Sequence, residues 1–216
     1  METSKNVWAI AVLTLLVVAC ESAYYNTMER FGVEKRDILI DRVEAARTSQ
    51  QEAKEEFSSV LEQFRATVDF DGGELEEKYD RLSAAYDDTA SQAQEVRDRV
   101  DAVESVGTAL FAEWESELHQ YSDRALRAQS QQQMRATRRE FDTTVAAMNK
   151  AAKSMDPVLE VFEDRVLFLK HNLNARAIAA LKPESSKLQA RVDTLLREME
   201  AAIEEADRFI ASMSTA

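Results

Sequence analysis

The sequence predicts an all-α protein: an elongated antiparallel coiled-coil bundle of three to four long helices, preceded by a signal peptide. Three observations predict it. Only 4 Gly and 2 Pro occur in 216 residues, too few for a fold with many turns. Hydrophobic residues make up 45% and charged residues 31%, with the strong helix formers Ala, Glu, Arg, Leu and Gln prominent. Apolar residues recur in alternating steps of three and four along most of the chain, which is the 3.5-residue period of a coiled coil.

The N-terminus comes first. Lys5 precedes an apolar run at residues 7–18, about a dozen residues long. That is the length of a signal-peptide core and short of the roughly 20 residues that span a bilayer. Ala19 and Cys20 follow, then polar Glu21 and Ser22. A small residue before cysteine at the end of such a run resembles the bacterial lipobox. The resemblance implies cleavage after Ala19, a diacylglycerol thioether on Cys20 and acylation of the new N-terminus, so residues 1–19 are expected to be a lipoprotein signal peptide. Several acyl chains, at about 0.8 kcal/mol per buried methylene, anchor a protein stably. Glu21 is not the Asp that marks inner-membrane retention, which favours the outer membrane. The rival reading is an uncleaved apolar anchor with an incidental cysteine; Glu2, which offsets Lys5, and Val18 speak for it.

Residues 20–216 read as one helical domain. The first helix is expected at about 23–69, on the seam Leu39, Val43, Ala46, Gln50, Ala53, Phe57, Val60 and Phe64. Asp69-Phe70-Asp71-Gly72-Gly73 ends it, because paired glycines tolerate positive φ and aspartates favour turns. The remaining ligands of a calcium loop are missing at their spacing. The second helix is expected at 74–121, its seam running from Leu75 through Leu82, Val96 and Gly107 to Leu110 and Trp114, then shifting to Leu118 and Tyr121. Ser122 or Asp123 caps the third helix, at 123–181, with the glutamine-rich residues 129–133 as a rival boundary. Its seam includes Met134, Arg138, Phe141, Val145, Met148, Met155, Phe162 and Leu169, and passes Pro157 in phase. Pro157 either kinks this helix or opens a new one with Asp156 as cap; the conserved phase favours the kink. Pro183 is expected to end it. The last helix, at 184–212, carries Leu188, Val192, Leu195, Met199, Ala202, Ala206 and Phe209. Short links make neighbouring helices antiparallel.

The net charge of -13 disfavours nucleic acid as a partner, and likewise membrane attachment through a basic patch. Motif chemistry is sparse. There is no Walker sequence, no H-E-x-x-H and no G-x-S-x-G, and the histidines, His119 and His171, are 52 positions apart. A lone cysteine makes no internal disulfide. No catalytic residue, cofactor or metal is expected.

One stretch exceeds what a seam needs. Val166-Leu167-Phe168-Leu169 is four consecutive apolar residues, followed by Lys170, His171, Asn172, Asn174 and Arg176. Leu167 and Phe168 are read first as filling a wider core, with the polar residues fixing register. They are read second as a partner surface comprising Leu167, Phe168, Lys170, His171 and Asn172. Trp114, Leu118 and Tyr121 are likewise read first as core and second as a docking patch.

Two blocks carry a resemblance: C-E-S-A-Y-Y-N-T-M-E-R-F-G-V-E-K-R-D-I-L at residues 20–39 and M-D-P-V-L-E-V-F-E-D-R-V-L-F-L-K-H-N-L-N-A-R-A-I at residues 155–178. They resemble an uncharacterised bacterial family, domain of unknown function 2959. The resemblance covers nearly everything after the apolar run. It implies a Gram-negative envelope lipoprotein and supplies no activity, cofactor or site residues.

The expectation is therefore a non-enzymatic protein held by lipid on Cys20 at the periplasmic face of the outer membrane. It would serve as a spacer or a protein-interaction module, with a protein partner or self-association through its helices. The alternative is an adaptor subunit of an envelope transport or assembly complex. An enzyme ranks last.

Overall fold

The computed structural model describes residues 34–69 and 75–215. The expected signal peptide, Cys20, the first helix before residue 34 and the Gly72-Gly73 turn lie outside the described residues. The elements in order are α1 (Lys35–Val68), α2 (Leu75–Glu117), α3 (Arg124–His171), the short α4 (Ala175–Leu181), a 3-10 turn (Lys182–Glu184) and α5 (Ser185–Thr215). No strand occurs among the described residues.

The four long helices form a square antiparallel bundle. Each packs on two neighbours: α1 on α2 and α5, and α3 on α2 and α5. Side-chain pairs give the directions. The start of α1 meets the end of α2 through Lys35 and Glu113 (3.0 Å). It also meets the end of α5, where the Arg36 guanidinium donates to the Met213 carbonyl. Arg97 of α2 pairs with Asp156 of α3 at 2.9 Å, and Arg47 of α1 with Asp207 of α5 at 2.7 Å. With 43 residues in α2 and 48 in α3, those helices run about 65–70 Å at 1.5 Å per residue. Two helix diameters, roughly 20 Å, set the width, so the molecule is a rod.

The apolar seams explain the packing. Every expected seam residue of α1 and of α5 is buried. The core they form with α2 and α3 is one continuous cluster, including the edge-on contact of Phe64 and Phe162 (6.2 Å between ring centres). A fully buried Leu or Phe contributes roughly 1.5–3 kcal/mol by leaving water, so these seams supply the main driving force. Gln50 is the largest uncharged polar side chain among the fully buried residues described, with Nε2 3.4 Å from the Met148 carbonyl.

The seams of α2 and α3 depart from expectation near one end. In α2 the buried set becomes Val106, Gly107, Phe111 and Leu118, while Leu110 and Trp114 are only partly buried and Tyr121 is 42% exposed. The cause is steric. The Phe141 ring of α3 seats directly on Gly107, where an added Cβ would overlap it. The same ring is held between Phe111 and Phe209, at 5.4 and 6.1 Å between centres. In α3 the expected seam residue Arg138 is exposed, its guanidinium 5.6 Å above the Phe111 ring, and Thr137 and Thr144 are buried instead. An arginine stacked on the outside of an aromatic ring keeps its charge in water.

The helix ends also shift. Asp123 caps α3 as expected, its Oδ1 accepting from the N–H groups of Ala125 (2.7 Å) and Leu126 (3.2 Å). The glutamine-rich stretch is no boundary; α3 runs through it, and apolar spacing fades there because α3 extends past the last turn of α5. The helix continues through Pro157 as well. Pro157 is exposed, so water can bond the Lys153 carbonyl that proline leaves without a donor. Pro183 does not end the third helix. That helix already ends at His171, and residues 175–215 are helical throughout, tightening to 3-10 geometry around Pro183. The Ser185 N–H bonds the Lys182 carbonyl there, which accommodates the missing proline donor. α2 likewise ends at Glu117 and not at 121.

Two predictions test this packing. Gly107→Ala should lower stability by about 1–3 kcal/mol, despite alanine's better helix propensity, because Phe141 is pinned by two other rings. Pairing it with Phe141→Leu should recover part of the loss in denaturant melts. The second concerns acid. Glu198 accepts a hydrogen bond from Ser154 and pairs with Lys150 at 3.2 Å, which together hold its carboxyl below the ordinary range. A lowered folded value means the contribution is complete above the unfolded glutamate value, about 4.3, and is lost as pH falls through the lowered one. Ser154→Ala should therefore cost under about 1 kcal/mol at neutral pH. The gap to wild type should close in melts taken at progressively lower pH.

Candidate functional site

The described surface has polar sides and apolar ends. Four large hydrophobic side chains are exposed: Tyr121 (42%), Leu126 (54%), Leu167 (53%) and Phe168 (39%). Tyr121 and Leu126 sit at the α2–α3 link, the end where α1 begins. Leu167 and Phe168 lie near the end of α3, at the opposite end.

The first reading of Leu167 and Phe168 as core is corrected. Their neighbours Val166 and Leu169 turn inward and are buried, and two inward positions in this turn satisfy the bundle. Leu167 and Phe168 are left on the outside. Lys170, His171 and Asn172 are also exposed. The register role expected of the polar residues is corrected too, because they build the helix break instead. The Asn172 Nδ2 donates to the Phe168 carbonyl at 3.0 Å, and the Asn172 N–H bonds the Leu169 carbonyl at 3.1 Å. The Asn174 Oδ1 accepts from the N–H groups of Arg176 and Ala177, both at 3.1 Å. One asparagine closes α3 and the other opens α4, occupying backbone groups that helix ends leave without partners. Asparagines two apart, straddling a residue, are the sequence signal for this break. Salt bridges flank it: Lys182 to Asp69 at 3.1 Å and Arg165 to Glu184 at 3.6 Å.

At the other end a cleft of about 720 Å³ opens between the start of α1 and the α2–α3 hairpin. Lys35, Arg36, Leu110, Glu113, Trp114 and Glu117 are among its walls. Its polar groups answer one another. Lys35 pairs with Glu113, Arg36 bonds the Met213 carbonyl, and the Trp114 Nε1 donates to the Ser130 Oγ at 2.9 Å. Trp114 is half-buried, intermediate between its two expected readings, and Leu118 is buried as core.

The two histidines stand at opposite ends of the rod. His119, exposed, has its Nδ1 3.3 Å from the Arg127 guanidinium; His171, exposed, is the last residue of α3. Among the described residues no three His, Cys, Asp or Glu side chains converge as a metal-ligand set. No described helix is long and apolar enough to cross a membrane. Burial lifts the Tyr86 hydroxyl above its ordinary value, with Glu163 and Asp87 adding to the rise.

The exposure of Leu167 and Phe168 gives a direct prediction. Leu167→Glu and Phe168→Glu should change stability by no more than about 0.5 kcal/mol and leave helicity intact. Leu169→Glu should cost about 3 kcal/mol or more by burying a charge. Circular dichroism melts of the three variants decide between surface and core.

No curated protein and no solved structure matches this chain. One family model does match, over residues 24–213, described as a protein of unknown function, DUF2959. That span takes in every described helix except the last two residues of α5, and on it the chain belongs to the DUF2959 family.

Proposed function

We propose that this protein is a lipid-anchored, non-enzymatic module of the Gram-negative cell envelope. It is held through Cys20 at the periplasmic face of the outer membrane and acts as a spacer whose far end engages a protein. What carries the reading is the division between sides and ends. A rod of about 65–70 Å has all four of its exposed large hydrophobics, among the described residues, at its two ends. A spacer needs flanks that stay solvated and tips that bind. Ion pairs such as Arg97–Asp156 and Lys54–Glu200 keep the flanks polar. The apolar run ending at Cys20 supplies an attachment at one tip.

The exposed Leu167–Phe168 pair favours a more specific version, in which the far tip docks into an envelope transport or assembly complex as an adaptor. Adjacent exposed leucine and phenylalanine offer an apolar anchor, and Lys170, His171 and Asn172 supply a polar rim.

Cys20→Ser should move the protein out of the membrane fraction or leave it unprocessed; unchanged fractionation would sink the anchor. Crosslinking in intact cells should capture a protein partner, and Leu167→Glu with Phe168→Glu should reduce that capture at least tenfold at unchanged abundance. Retention of the partner by this variant would exclude the far tip as the docking end.

A further inference from the structure

The overall charge hides a local reversal. Between residues 124 and 139 there are five arginines and no aspartate or glutamate, in a chain of net charge -13. The spacing matters more than the count. At 100° per residue, Arg124, Arg127, Arg135, Arg138 and Arg139 fall within an arc of roughly 120°. They make one basic face over the first four turns of α3, and all five are exposed.

These arginines differ from the cations elsewhere on the rod. Arg47, Lys54, Arg97 and Lys182 each reach a carboxylate on another helix or its end. Among the described residues none of the five pairs with a carboxylate; Arg127 lies beside His119, and Arg138 lies over Phe111. Three carboxylates at this end are engaged: Glu113 with Lys35, Asp123 as the α3 cap and Glu140 with Ser212 at 2.8 Å. Glu34 and Asp37 at the start of α1, Glu115 and Glu117 of α2, and Asp142, one turn beyond Arg138 on the same face of α3, remain exposed. Exposed Tyr121 stands at the tip of the same hairpin, whereas exposed Leu126 lies about 160° around α3 from the middle of the arginine face.

Position identifies the counter-charge. The basic face is at the end where α1 begins, 15 residues after Cys20. Fully extended, that length reaches at most about 50 Å, and as helix about 20 Å. Guanidinium groups grip phosphate oxygens two at a time, and an exposed aromatic at the same tip, Tyr121, suits the headgroup boundary. Asp142 beside Arg138 and Arg139 subtracts from the charge of the face, but the acidic residues farther along the rod do not oppose it. Charges are screened beyond about 8 Å at physiological salt, whereas the basic face is roughly 24 Å long.

We propose that the arginine face of α3 rests on phosphate-bearing lipid headgroups beside the anchor, so that the near end of the rod is docked on the membrane surface and does not swing free on its tether. The orientation rests on the lipid-anchor reading, with Cys20 as the first signal and the arginine face as the second.

The test uses the chain from Glu21 onward, which lacks Cys20 and keeps every described residue; the buried cluster lies wholly within residues 38–213. Circular dichroism establishes equal helicity for it and for the variant Arg124→Gln, Arg127→Gln, Arg135→Gln, Arg139→Gln. Arg138 is kept for its contact with Phe111. Flotation is then measured with vesicles of phosphatidylglycerol and phosphatidylcholine, and of phosphatidylcholine alone. The proposal expects binding to the anionic vesicles only, weakened at least tenfold by 0.5 M NaCl and at least tenfold by the four substitutions. It also expects no loss for Lys153→Gln with Lys187→Gln, which removes two cations elsewhere on the rod. Absent binding, equal binding to both vesicles, or a variant that binds like the parent overturns it. So does a salt-sensitive dimer, by sedimentation, that the four substitutions abolish, since that assigns the face to a second copy of the chain. Because Cys20 is absent throughout, this result and the fractionation of Cys20→Ser can fail independently.

Discussion

The narrowness of the apolar stripe governs this molecule. A seam with two inward positions in seven covers only part of a helix, and a helix with one such seam is not stable in water by itself. Four helices arranged in a square give each stripe two neighbours, and the observed contacts follow that square. Alanines in the seams, such as Ala46, Ala53 and Ala93, let the helices approach closely, while Phe57, Phe64, Phe162 and Phe209 fill the spaces between them. Gln50 at the fully buried level favours one axial alignment, because sliding α1 along its neighbours would break the Nε2 contact with the Met148 carbonyl.

Local devices then decide where helices stop. Asp123, Asn172 and Asn174 each satisfy backbone groups at a helix end, and the chain breaks at those residues. The prolines, usually stronger punctuation, do not break it. Pro157 faces solvent within an otherwise well-packed helix, and the chain tightens its turn around Pro183. Proline costs a donor and a clash, but long flanking seams that bury Met155, Phe162, Leu188 and Val192 outweigh a single lost hydrogen bond.

Charge follows the same separation of flank from tip. Along the flanks, opposite charges meet across neighbouring helices and keep the sides soluble and closed to strand-like or apolar association. Toward the ends the pattern changes, to an arginine face along the first four turns of α3 that has no carboxylate partner among the described residues, and to an exposed leucine–phenylalanine pair near the other end. A molecule with such ends is suited to bridging two surfaces, and its sides need little beyond solvation.

Much of the fold was legible in the sequence. Period 3.5 gave the helices, and in α1 and α5 it gave the core residue by residue, because those two helices keep one phase throughout. The capping role of Asp123 was legible because the residue type and position suffice. The tertiary structure decided the rest. Only packing shows that Phe141 needs the space over Gly107, which rotates the buried face of α2 and pushes Arg138 outward. Only the completed turn shows that Val166 and Leu169 suffice for the core, leaving Leu167 and Phe168 outside. Likewise, net charge is a sum over the chain and carries no position. Folding places five arginines on one face of α3 at the end where α1 begins, a juxtaposition that depends on the direction of every helix in the bundle.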